Sequence, residues 1–232
     1  MLELVDICYE VDNKMILDHI NVKFDDGFTV ITGPNGSGKS TLAKIIMGII
    51  KPTSGKVLFN GIDITNYSID KRAKEGISFS FQQPVKFKGL TVYDLINIAA
   101  EEKLDFDSCC EILSKVGLCA REYINREVDD SLSGGELKRI EIASVFVRNS
   151  ILNIFDEPEA GIDLWSFNNL INLFKELKNK NKAKTIIISH QERIISNSDK
   201  IILLDNGKIK DYNSKKELMN IITPCKKMGG EE

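Results

Sequence analysis

The chain has 232 residues, enough to bury a full core and near the upper end of what one domain covers, so one compact unit with a sub-domain is expected. Its 42% hydrophobic and 28% charged residues are ordinary for a globular protein, and a net charge of −3 excludes the basic surplus that nucleic acid requires. Lys178, Lys180, Lys182 and Lys184 read as the solvated end of a helix and its loop. No run approaches the ~18 apolar residues of a membrane span. The longest, Ile45 to Ile50, is interrupted by Gly48 and stopped by Lys51-Pro52. Residues 1–20 carry early acids and no signal-peptide layout, so no anchor of the chain's own is expected. Five cysteines without metal-type pairing argue for a reducing compartment, the cytoplasm.

In chain order, strand patterns run over Leu2–Tyr9, Ile16–Phe24 and Phe28–Thr32. A helix starts near Lys39, with Leu42, Ile45, Ile46 and Ile49 on one face, and ends before Pro52. Asn60-Gly61 between Val57-Leu58-Phe59 and Ile62-Asp63-Ile64 predicts a hairpin. From Thr91 the pattern turns helical. Thr91 and Asp94 predict a capping box, Ser108 and Glu111 a second one before Cys109, Ile112, Leu113 and Val116, with Gly117 as the stop. A third helix runs from Glu136. After it, strands Ile151–Phe155 and Thr185–Ser189 flank a helix over Phe167–Lys178. Ile201–Leu204 and Ile209–Tyr212 bracket an Asn206-Gly207 turn, followed by a short helix near Ser214–Ile222 and a frayed tail from Cys225. Near-continuous apolar strands alternating with amphipathic helices indicate an α/β fold with a parallel sheet covered on both faces.

Two segments carry chemistry by themselves. Gly33-Pro34-Asn35-Gly36-Ser37-Gly38-Lys39-Ser40 fits the phosphate-binding P-loop template between a strand and a helix. Its glycines let successive amides point into one concavity at a helix N-terminus, followed by Thr41. Lys39 is expected to reach β- and γ-phosphate oxygens and Ser40 to bind Mg²⁺. The strand Ile151–Phe155 ends in Asp156-Glu157, at the sheet edge where open α/β folds bind ligands. Asp156 is expected to hold Mg²⁺ through water, and Glu157 to act as general base toward an attacking water. Asn153 interrupts that strand, and its amide is expected to find a partner. Cys109 is read as core and Cys110 as pointing elsewhere; Cys109, Cys110 and Cys119 lack metal-ligand spacing.

With these parts in place, Leu132-Ser133-Gly134-Gly135-Glu136 resembles the signature of the ABC ATPase nucleotide-binding domains, usually ended by Gln. The resemblance implies a P-loop NTPase fold with a mostly parallel central sheet, an N-terminal antiparallel β sub-domain and a helical sub-domain. It divides one domain into residues 1–83 and 146–224 for the core and β sub-domain, about 84–145 for the helical sub-domain, and 225–232 for the tail. It implies an ATPase using ATP and Mg²⁺, active as an ATP-dependent head-to-tail homodimer. In that pair Ser133, Gly134 and Gly135 of one copy cap the ATP on the other's P-loop. Residue by residue, Gln82 resembles the Q-loop glutamine that senses Mg²⁺ and the attacking water, with Gln83 as the alternative register. His190 resembles the switch histidine at the γ-phosphate, and Asp163 the D-loop aspartate, although Ala160-Gly161-Ile162 departs from the commoner Ser-Ala-Leu. Tyr9 stands where an aromatic stacks on adenine, or is one strand aromatic among several.

Some stretches are similar to the Suf-type subgroup, the SufC ATPases of iron–sulfur cluster assembly: Phe81-Gln82-Gln83-Pro84-Val85, the Glu136 ending with Lys138-Arg139 and Glu141-Ile142, and Gly161. Pro158 and Ala160 follow the general or transporter pattern equally. The subgroup implies soluble scaffold subunits as partners. The alternatives are transmembrane permease subunits of a transporter, or a slowly cycling nucleotide-gated binding module.

Overall fold

The computed structural model describes residues 1–179 and 183–210. The chain opens with strands β1 (Leu2–Val11), β2 (Lys14–Phe24) and β3 (Phe28–Thr32), then helix α1 (Lys39–Met47). Strands β4 (Ser54–Phe59) and β5 (Ile62–Asp63) meet at Asn60-Gly61, where both residues take the positive φ that the hairpin pattern demands. Helix α2 (Ile69–Lys74) and strands β6 (Ile77–Ser80) and β7 (Phe87–Thr91) follow. The helical stretch comprises α3 (Val92–Ala100), α4 (Phe106–Lys115), α5 (Ala120–Tyr123), the short strand β8 (Glu127–Val128) and α6 (Gly134–Val147). Strand β9 (Leu152–Asp156), helix α7 (Leu164–Asn179), β10 (Lys184–Ile188), α8 (Glu192–Asn197), β11 (Lys200–Asp205) and β12 (Lys208–Lys210) complete the described chain.

Three sheets result among the described residues. The central one has the order β12-β11-β3-β10-β9-β6, parallel except for the β11–β12 hairpin. Strands β3 and β9 are buried at every residue, which explains why apolar residues dominate them, with Thr29, Thr32, Asn153 and Asp156 as the polar exceptions. The second sheet is antiparallel, β2-β1-β4-β5, and the third pairs β7 with β8. One core cluster packs α1 between the antiparallel sheet and the central sheet, joining Leu4, Ile31, Ile45, Val57 and Ile188. The other packs α3, α4, α6 and α7 on the opposite side, joining Val92, Leu113, Ile140, Phe155 and Phe174. The architecture is the expected α/β arrangement with mostly parallel and antiparallel sheets and a helical portion.

Several local expectations need correction. Helix α4 begins one turn before Ser108, because the Asp105 carboxylate accepts from the Ser108 amide at 2.8 Å and takes the N-cap role. A shift of one turn preserves the apolar face, so Cys109 is still core. Asn153 is buried, yet neither its Oδ1 nor its Nδ2 has a hydrogen-bond partner among the described residues. Strand β10 starts at Lys184, whose ammonium donates to the Asp25 carbonyl at 2.5 Å, and Lys178 pairs with Asp199 at 2.5 Å. Lys180, Lys182, Tyr212, the helix near 214–222 and the tail lie outside the described residues. Among the described residues, no helix is long and apolar enough to cross a membrane.

Candidate active site

The P-loop follows the buried strand β3 and turns into α1. Gly33 has φ +144°, and a Cβ there would stand 1.9 Å from the Leu204 carbonyl oxygen, so the turn admits only glycine. Gly38, with φ +101°, is the N-cap of α1, and a Cβ would meet Leu17 Cδ2 at 2.7 Å. The loop is therefore pressed between the end of β11 and β2. Lys39 is buried and folds over the loop, its Nζ donating to the carbonyls of Gly33 at 2.9 Å and Pro34 at 2.8 Å. Burial lowers its pKa, and the negative charges of Glu157 and Asp156 oppose that shift.

The second wall comes from the carboxyl ends of β6, β9 and β10. Asp156 ends β9 fully buried, and its Oδ1 accepts from Ser40 Oγ at 3.1 Å. Burial pushes its carboxyl pKa up, the Ser40 hydrogen bond works against this, and Glu157 adds to the rise. Glu157 takes φ +46°, a conformation that non-glycine residues adopt at a cost, and its amide donates to the Ile188 carbonyl at 3.0 Å. Its Oε2 accepts from Gln82 Nε2 at 2.7 Å, so the glutamine brought to this cluster is Gln82. His190 follows β10; partial burial and then the charge of Lys39 lower its pKa, against the pull of Glu157.

Lys39, Ser40, Gln82 and Glu157 face an open cavity of about 570 Å³ that is also lined by Lys14, Ile16, Asn35, Gly36, Gly38 and Thr41; Asp156 and His190 are not among its lining residues. Its size suits a nucleotide. The Ser40 hydroxyl and the Asp156 carboxylate, 3.1 Å apart, are hard oxygen donors of the kind that fit Mg²⁺, and Gln82 lines the cavity beside them. Tyr9 stands on β1 opposite Leu17 and packs against the core cluster around α1. The hairpin residues lining the cavity are Lys14 and Ile16 instead.

Charged residues that sequence reasoning left without a role hold this wall in place. Glu141 on α6 accepts from the Phe81 amide at 3.0 Å and from Ser80 Oγ at 2.8 Å. Lys138, also on α6 and fully buried, donates to the Phe81 carbonyl, to Ser80 Oγ at 3.2 Å and to the Asp156 carbonyl at 3.4 Å. Burial drives Lys138 down and Glu141 up in pKa, and each charge partly restores the other. Helix α6 thus grips the end of β6 immediately before Gln82. Glu159 does the same for β10: its Oε1 accepts from Ser189 Oγ at 2.5 Å, and that hydroxyl accepts from the Gln191 amide at 3.0 Å. In the sequence Lys138 and Glu141 stand among the positions similar to the Suf-type subgroup and form an i, i+3 Lys–Glu pair, which on most helices marks a solvated face.

The signature segment is organised differently. Ser133 caps α6, its Oγ accepting from the Glu136 amide at 3.3 Å while Glu136 Oε2 accepts from the Ser133 amide at 2.7 Å. Tyr123 Oη donates to Glu136 Oε1 and, as the largest cause, holds the Glu136 pKa down at about 2. A Cβ at Gly134 would meet nothing within 4 Å, whereas one at Gly135 would stand 2.4 Å from the Gly161 carbonyl oxygen. Asp163 caps the start of α7 through the Ser166 amide at 2.9 Å and hydroxyl at 2.7 Å. Ser133, Gly134, Gly135 and Asp163 take no part in lining the cavity beside the P-loop.

Comparison with known proteins agrees with this geometry. Residues 17–160 match the family model described as ABC transporter. An uncharacterized ABC transporter ATP-binding protein of Methanocaldococcus jannaschii is 36% identical over 227 residues, covering 94% of this chain and 90% of the relative. The energy-coupling factor transporter ATP-binding protein EcfA2 of Caldanaerobacter subterraneus is 33% identical, covering 92% and 77%, and a probable ATP-dependent transporter, ycf16, of Antithamnion is 31% identical, covering 90% and 89%. Among solved structures, a dimeric ATP-binding cassette in a post-hydrolysis state bound to ADP and Pi superposes with a TM-score of 0.79 at 25% identity, over 91% of this chain and 97% of that one. With a matching P-loop, acidic strand end and signature helix, the chain belongs to the ABC transporter family and is an ABC-type ATPase.

Proposed function

We propose that this chain hydrolyses MgATP at two composite sites formed when two copies meet head to tail, and that the closure moves bound partner subunits. One observation carries the reading. The phosphate-binding cluster of Lys39, Ser40, Gln82 and Glu157, with Asp156 buried behind Ser40, opens onto a cavity, while a second anion-type element, the α6 N-terminus at Ser133-Gly134-Gly135, stands outside that cavity. First-turn amides of a helix have no acceptors within the helix, and the axial dipole favours negative charge there. A partner copy's Ser133, Gly134 and Gly135 would supply those groups to the γ-phosphate, with Asp163 at the same interface. The solved cassette that superposes on this chain is itself dimeric with ADP and Pi, which supports the reading.

In this account the P-loop amides and Lys39 bind the phosphates. Ser40, Asp156 and Gln82 would hold Mg²⁺, which neutralises phosphate charge when bound. Glu157 accepts a proton from the attacking water, Gln82 orients Glu157, and His190, held neutral by its lowered pKa, donates toward the γ-phosphate. Tyr9 is left as a strand aromatic, and Ile16 provides the apolar wall for the base.

Partner subunits would engage the apolar groove of about 380 Å³ between α2 and β6 on one side and α3 and α6 on the other. Its lining includes Phe79, Phe81, Phe87 and Ile98, and Phe81 precedes Gln82, so pressure on the groove reaches the catalytic cluster directly. The relatives' names support transmembrane transporter subunits as the partners. A specific observation supports a second reading, a soluble Suf-type (SufC-like) scaffold. Of the positions that resemble that subgroup, Phe81, Lys138 and Glu141 form the buried grip on the glutamine loop, and Glu136 holds the signature segment through Tyr123 and Ser133. The division into a core of 1–83 and 146–224 and a helical sub-domain of about 84–145 belongs to the same proposal.

Two experiments test it. Glu157→Gln is expected to slow ATP hydrolysis by about 10²–10⁴-fold while retaining ATP binding; equal turnover in both proteins would remove Glu157 as the base. Affinity purification from native cells is expected to bring down a permease under the transporter reading and a soluble scaffold under the other. Recovery of the chain alone, with full ATPase activity, would contradict both partner assignments.

A further inference from the structure

The antiparallel sheet carries a cluster of metal-type side chains that the nucleotide chemistry does not use. Cys8 on β1 and Asp18 and His19 on β2 each bring one donor atom to a point where all three lie within 4.8 Å of one another. In a regular strand Asp18 and His19 would face opposite sides. Here β1 and β2 shift register between Leu4 and Ile7 and again between Ile7 and Tyr9, and His19 has φ +51°. Such bulges re-aim side chains, and these bring both residues beside Cys8.

The surroundings are those of a ligating set. His19 Nδ1 lies 2.6 Å from Asp6 Oδ1, which leaves Nε2, 3.8 Å from Asp18 Oδ1, as the outward nitrogen. Carboxylates that fix the far ring nitrogen in this way orient metal-bound histidines. The His19 amide donates to Cys8 Sγ at 3.4 Å, which holds the sulfur beside the histidine. Lys208 engages the other Asp18 oxygen, Oδ2, at 3.0 Å, so Oδ1 stays directed at the cluster. Cys8 is buried while His19 faces solvent, giving three protein donors with an open fourth direction.

We propose that Cys8, Asp18 and His19 bind one borderline divalent transition-metal ion of the zinc class, with Asp6 as the residue that positions His19. A thiolate–imidazole–carboxylate set selects such an ion over Mg²⁺. Metal bonds of ~2.0–2.3 Å draw such donors closer together than they stand in this structure.

The test is titration of the reduced, chelator-treated full-length chain with cobalt(II). A single ion with thiolate-to-cobalt absorption in the near ultraviolet is expected, displaced by stoichiometric zinc. Cobalt at the oxygen ligands of the P-loop would give no such band. Cys8→Ser is expected to abolish the band and Cys119→Ser to leave it. Asp6→Asn is expected to weaken binding by about 10–100-fold. Absence of the band in the unaltered chain, or its persistence in Cys8→Ser, overturns the proposal. Should Cys8→Ser fail to fold, His19→Ala, a change at an exposed side chain, decides: unchanged cobalt affinity overturns the site and a loss of tenfold or more supports it.

Discussion

The P-loop and the signature segment are both short glycine-containing strings at the start of a helix, yet the fold treats them in opposite ways. The P-loop is pinned at both ends, while Asn35 and Gly36 between them line the open cavity. Gly33 lies against the Leu204 carbonyl, Gly38 against Leu17, and Lys39 and Asp156 are buried on the sheet edge. The signature segment is pinned only on its inner side, through the Tyr123–Glu136 contact and the approach of Gly135 to Gly161. Around Gly134 the chain leaves open space. One string is shaped by its own chain, and the other is shaped to be presented to something else.

Glycine substitutions sharpen the contrast most. Gly33→Ala forces a Cβ into a backbone carbonyl at a positive φ and is expected to cost on the order of 3 kcal/mol or more of stability. Gly134→Ala meets nothing and is expected to change stability by less than about 0.5 kcal/mol. Thermal denaturation of the two variants side by side measures this, and equal losses would break the comparison.

A smaller effect concerns the inner side of the signature. The Glu136 capping box and its tyrosine contact are expected to contribute about 1 kcal/mol. Because the folded pKa, about 2, lies below the ordinary glutamate value, this contribution is present above that ordinary value. It is lost as the pH falls from there toward 2. Glu136→Ala should therefore be less stable than the unaltered chain at pH 7 and indistinguishable from it near pH 2, by chemical denaturation at both values. A constant difference across that range would contradict the assignment.

What was legible in the sequence follows the same line. The P-loop, the acidic strand end and the signature are local strings whose meaning depends on a few adjacent residues, and their flanking periodicity identified the α/β sheet. Lys138 and Glu141 were not legible as a buried pair, because only tertiary packing tells that helix α6 is enclosed nearly all round. Tyr9 was assigned by its place upstream of the glycine loop, but β1 shifts register on both sides of it, and counting along a bulged strand does not say which way a ring points. The α4 start failed because Asp105 and Ser108 both make good caps and only the fold chooses between them. Asn153 stays without a physical account: its flanking register partners are Ser78 and Thr185, and no bond forms among them.

The most direct measurement of the central claim uses two inactive proteins. Lys39→Ala removes the phosphate-binding lysine and leaves the signature whole. Gly134→Glu puts a negative charge into the open space at the helix N-terminus, where the local dipole tolerates it but an incoming phosphate does not, and leaves the P-loop whole. In a head-to-tail pair of one of each, the intact P-loop of one copy faces the intact signature of the other. Mixed in equal amounts, the two are expected to recover about a quarter of the normal ATPase rate, because half the dimers are mixed and each holds one complete site. Hydrolysis that stays at the level of the separate variants after mixing, with mixed dimers demonstrated, would contradict a site shared between two copies.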